Sequence, residues 1–74
     1  ELREETAELV REIDPNITVH DFRIVPGVTH TNLIFDVAVP FENKMTVSEI
    51  KEAVSQKIKE RHKNYYAVVT VDRS

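Results

Sequence analysis

The chain lacks cysteine and tryptophan, and its 74 residues include one glycine and three prolines. Without cysteine there is no disulfide, no thiolate metal ligand and no cysteine nucleophile. A lone glycine, Gly27, cannot make a glycine-rich phosphate cradle. The longest run free of charge, Ile24 to Phe35, is interrupted by Pro26, Gly27, Thr29, His30, Thr31 and Asn32. Nothing approaches the roughly 18 consecutive apolar residues of a membrane span. The charged opening residues do not read as a secretory signal. Positive charge is not in excess either: 10 Lys and Arg face 13 Asp and Glu, a net charge of −3. Dedicated nucleic-acid binders usually have a pI above about 9, so the balance argues against one.

What is present reads as one small folded domain spanning residues 1–74. Hydrophobic residues make up 41% and charged residues 31%, a mixture that disordered chains do not show. The charge is unevenly spread. Six acids crowd residues 1–14 (Glu1, Glu4, Glu5, Glu8, Glu12, Asp14), and six bases fall in residues 44–63. The chain begins at Glu1 with no initiator Met, as expected of a fragment of a longer protein.

Leu2, Thr6, Leu9, Val10 and Ile13 recur at helical spacing and predict a helix over 2–13, ended by Asp14-Pro15-Asn16. Residues 17–25 are β-branched and aromatic and predict a strand, followed by the turn signal Pro26-Gly27. Over 31–39, Leu33, Phe35, Val37 and Val39 alternate with Asn32, Ile34, Asp36 and Ala38, the period of a strand with one buried face. Thr46-Val47-Ser48-Glu49 is a capping box that opens a second helix over roughly 47–62. Valine-rich residues 65–72 predict a third strand.

The predicted fold is a two-layer α+β domain in the order helix–strand–strand–helix–strand. Its three-stranded mixed sheet has both helices on one face. The first two strands should form an antiparallel hairpin. The second helix would carry a crossover that sets the third strand parallel to the second. Ile34, Ala38 and Val68, with Val19 and Val25, are then expected on the helix-free face. A semi-apolar sheet face of this kind suits a symmetric homodimer.

Chemistry is sparse. Histidines occur at 20, 30 and 62 only, with no pair at i,i+4 and no HExxH spacing. His62 reads as a solvated residue of a basic helix end, and His30 as a surface residue of a loop. Strict alternation puts His20 on the side of Phe22 and Ile24, as a histidine at the edge of the core. No nucleophile–histidine–acid set or glycosidase-like carboxylate pair can be argued from spacing. The residues argue against an enzyme.

The segment Val19-His20-Asp21-Phe22-Arg23 resembles the V-H-D-L-R strand of the C-terminal cytosolic domain of cation diffusion facilitator transporters. The similarity extends over nearly the whole chain. A hairpin through a glycine, the strand 33–39, the helix opening at Met45-Thr46-Val47-Ser48-Glu49 and a last strand ending in Asp72 follow in that family's order. Such transporters are homodimeric antiporters that expel zinc or related divalent ions in exchange for protons. The resemblance therefore implies a ferredoxin-like, metallochaperone-like domain on the cytoplasmic side of a membrane protein. It implies covalent linkage to a transmembrane part, dimerisation through the exposed sheet face, and regulatory metal on that face.

Carried over residue by residue, the resemblance implies His20, Asp36 and Asp72 as metal ligands. Asp36 stands where many members have a histidine. Thr70 and Ile50 stand where others place two more. One imidazole and two carboxylates imply a weakly held divalent cation, zinc or a harder ion such as manganese. Parity is at odds with this set, since it puts His20 on the other side of the sheet. A β-bulge near the start of the strand would reconcile the two, because a bulge re-aims a side chain. The alternative is a free-standing ferredoxin-like module of the metallochaperone kind, against which the missing cysteines weigh.

Overall fold

A computed structural model describes residues 1–73. Helix α1 runs Leu2–Ile13, strand β1 Thr18–Pro26, strand β2 Thr31–Val39, helix α2 Val47–Arg61 and strand β3 Tyr65–Arg73. The order is the expected one, and both helices and β2 fall within a residue of the predicted limits.

Local chemistry explains the ends. The Glu1 carboxylate accepts from the Glu4 backbone N–H at 2.9 Å and caps α1. Asp14 leaves the helix in extended backbone, as a residue before proline should. At α2 the Thr46 hydroxyl accepts from the Glu49 N–H, and the Glu49 carboxylate accepts from the Thr46 N–H, so the capping box is fully formed. Gly27 is needed in the hairpin because a Cβ there would lie 2.6 Å from the His30 carbonyl oxygen.

The sheet order is β1-β2-β3. β2 and β3 run parallel in unbroken register from Thr31 opposite Tyr65 to Val39 opposite Arg73. The predicted alternation of β2 holds throughout: Leu33, Phe35, Val37 and Val39 are buried, packed with Val10 of α1 and Ile50, Val54 and Ile58 of α2. Both helices therefore cover one face, and the domain is α+β and ferredoxin-like. The loop after β2 is tied to the last strand by Arg73, whose guanidinium donates to the carbonyls of Asn43 and Met45.

β1 and β2 pair antiparallel, and this ladder contains one irregularity. His20 faces Asp36, yet the next aligned pair is Arg23 with Ile34. Two residues, Asp21 and Phe22, thus oppose the single residue Phe35, which is a β-bulge. Asp21 takes φ 54°, in the left-handed region that aspartate enters more readily than bulky residues do.

The bulge corrects two expectations from strict alternation. His20 does not share a side with Phe22: it lies exposed on the helix-free face, while Phe22 turns inward to meet Phe35 at 5.8 Å between ring centroids. Val19, opposite Val37, packs against the core instead of joining the open face.

Candidate metal centre

The helix-free face has two halves. Toward the hairpin end it carries Val25, Ile34, Tyr66 and Val68, with Val25, Tyr66 and Val68 exposed. Toward the other end it carries Thr18, His20, Asp21, Asp36, Ala38, Thr70 and Asp72. The ladder places His20 on one side of Asp36 and Thr70 on the other, with Asp72 next to Ala38. All three residues implied as ligands therefore belong to this one face, His20 through the bulge and both aspartates through the parity of β2 and β3.

Sharing a face is not the same as forming a cage. Among the described residues, no three His, Cys, Asp or Glu side chains come close enough to enclose one ion. The ring of His20 is turned along its own strand, its Nε2 2.8 Å from the Thr18 hydroxyl. Thr70, which offers no imidazole, occupies the position beside Asp36. A single chain thus offers scattered donors, and an ion held here would need water or a second chain to fill its coordination.

Asp21 was not among the ligands that the resemblance implied. The bulge sets Asp21 beside Asp36, and the two line one cleft. The Asp36 carboxyl is pushed above its ordinary value, first by partial burial, then by the contact with Asp21 and the negative charges of Asp21 and Asp72, with His20 acting in the opposite direction. Repulsion among these carboxylates is what a bound cation would relieve. A shallow cleft of ≈ 530 Å³ lies at this point, lined by Asp21, Phe22, Arg23, Ile34 and Asp36. Three further grooves lie along α2 among residues such as Ser48, Glu52, Ser55 and Gln56, and no histidine lines them. The only sequence signal for Asp21 was its residue type next to His20, since aspartate tolerates the backbone that a bulge demands.

The other histidines have structural partners. His30 stacks on Tyr66 at 4.2 Å between centroids. His62 is not a free solvated residue. Its Nε2 lies 3.1 Å from both carboxylate oxygens of Glu5 on α1, and its ring stacks on Tyr65. That contact is the main reason the Glu5 carboxyl is held below its ordinary value; Arg61 adds to the effect and partial burial opposes it. With the Lys57–Glu12 pair at 3.0 Å, it clasps the acidic α1 to the basic α2.

No helix among the described residues is long and apolar enough to cross a membrane. No protein-family model and no curated protein matches the sequence. A solved structure does match in fold: the metal-bound C-terminal domain of the CzcD transporter from Thermotoga maritima. The TM-score is 0.71 and the identity 21%, over 96% of this chain and 86% of that one. The chain thus has the ferredoxin-like α+β fold of a transporter's C-terminal domain, the fold that the resemblance read from its residues implied.

Proposed function

We propose that the chain is the cytosolic domain of a cation diffusion facilitator, a regulatory and dimerising unit rather than an enzyme. Cation/proton antiport would belong to the membrane part to which it is joined. Two independent signs support the reading: the ordered motifs around Val19-His20-Asp21-Phe22-Arg23, and a fold shared over nearly the whole length with a metal-bound transporter domain. The observation that carries it is the bulge in β1. Without the extra residue His20 would point into the core, and no imidazole would stand beside Asp36 on the open face.

The division of that face supports a dimer. Two copies meeting face to face would join their apolar halves, Ile34 and Val68 foremost, and would bring six aspartates (Asp21, Asp36 and Asp72 from each) toward one another. Negative charge at close range opposes full closure, and a divalent cation between the copies removes the opposition. His20, Asp36 and Asp72 are the residues that would hold it. A donor set with one imidazole per chain binds zinc weakly and gives a harder ion such as manganese a relative advantage.

Titration calorimetry with zinc and with manganese at pH 7.5 tests the assignment. Wild-type protein should show weak binding that is lost in His20→Ala. A sub-micromolar site that survives His20→Ala would overturn the assignment of the ligands.

A further inference from the structure

β1 and β3 are both edge strands, and they are protected very differently. β1 carries the bulge, a charged residue in left-handed backbone at Asp21, and a proline at its end. Each of these discourages a further strand from adding on. β3 has none of them. It is nine residues long, regular along its whole length against β2, and without proline or glycine; Tyr65 to Val71 carries no charge. One row of its backbone N–H and C=O groups has no strand to pair with among the described residues. Seven uncharged residues of high β propensity beside such a row are a template for another strand.

We propose that β3 pairs antiparallel with β3 of a second copy, joining two three-stranded sheets into one of six strands. A two-fold contact requires an antiparallel, self-matching register, and keeping all helices on one face allows only registers centred on a residue. The midpoint of Tyr65–Arg73 is Val69, and centring there uses all nine residues. Tyr65 then faces Arg73, Tyr66 faces Asp72, Ala67 faces Val71, Val68 faces Thr70, and Val69 faces its own copy. No like charges meet. Lys59 Nζ sits 3.5 Å from the centre of the Tyr66 ring, where Asp72 of the second copy would arrive. Centring on Val68 instead would oppose Lys63 to Arg73. Centring on Thr70 would oppose Asp72 to Val68 and pair only residues 67–73 of the strand, with both tyrosines outside the paired stretch. The register with the greatest overlap is also the one with complementary charge. This contact uses an edge and needs no metal, so it is separate from the face-to-face contact described above.

Residue-resolved amide hydrogen exchange, run with a chelator over a range of protein concentrations, decides the matter. The alternate amides of β3 that point away from β2 should slow by about ten-fold or more as concentration rises. Lys59→Glu should move that effect to higher concentration. Because the chain has no cysteine, Val68→Cys combined with Thr70→Cys gives a second readout: both positions are exposed and face each other across the proposed contact, so oxidation should yield a covalent dimer. Outward β3 amides that exchange at the same rate at every concentration would overturn the proposal. So would a folded Val68→Cys/Thr70→Cys protein that stays monomeric on oxidation.

Discussion

Strand β2 shows two kinds of constraint in alternate residues. Leu33, Phe35, Val37 and Val39 are all but inaccessible, whereas Ile34, Asp36 and Ala38 between them are only partly covered. The first set meets two helices and is confined by packing density, so any lost volume leaves a cavity. The second set meets solvent, so its residues can carry charge without unfolding the domain, provided the charge is tolerated by its neighbours. Stability therefore resides on one side of the sheet and chemistry on the other. Changes on the two sides should give different readouts.

The largest effect belongs to the covered side. Phe35→Ala should cost about 3–5 kcal/mol, close to the whole stability of a small domain. Circular dichroism should show it largely unfolded or melting far below wild type. A near-normal melt would mean that the two sides are not distinct in the way described.

Next comes the residue that connects the sides. Asp21→Val puts a β-branched side chain at φ 54° and should cost about 1–2 kcal/mol. Relief of strain would come from losing the bulge, which would turn His20 inward. A denaturation midpoint together with the His20 ring signals in an NMR spectrum checks both consequences. An unchanged midpoint with His20 still exposed would show that the bulge does not depend on aspartate.

On the open side, Ile34→Lys should change the stability of the single chain by no more than about 0.5 kcal/mol. It should nevertheless weaken face-to-face association, because a charge would enter the contact. Sedimentation of wild type and variant across concentration is the measurement. Equal association of the two would remove the apolar half of the face from the dimer contact.

The smallest effect lies away from the sheet, in the clasp between the helices. Glu5 is held below its ordinary value by His62, so its contribution is present above the unfolded value of 4.5 and is lost as pH falls through the folded value. Melting temperature should therefore decline on acidification below about pH 4.5 more steeply in wild type than in Glu5→Gln. Glu5→Gln should also start slightly less stable at neutral pH. Parallel curves for the two proteins would show that the pair is of no consequence.

Much of this molecule could be read along the chain because the relevant causes are local. Capping residues, a proline after Asp14, the Thr46–Glu49 box and the period of two in β2 each act within a few positions, and the elements appeared where they were expected. The fold class followed, since two one-sided helices and three strands admit few arrangements. Two features were not local. His62 meets Glu5 across 57 positions, and spacing gives no hint of it. The direction of His20 depends on how many residues of β1 stand against Phe35, a property of two strands in register. Phe22 fills the space beside Phe35, and the extra residue that this packing requires is Asp21. Parity is a rule for an unbroken ladder, so sequence could name His20, Asp36 and Asp72. Tertiary pairing alone decided that His20 faces the same way as the two aspartates, and that a fourth carboxylate or imidazole donor candidate, Asp21, joins them.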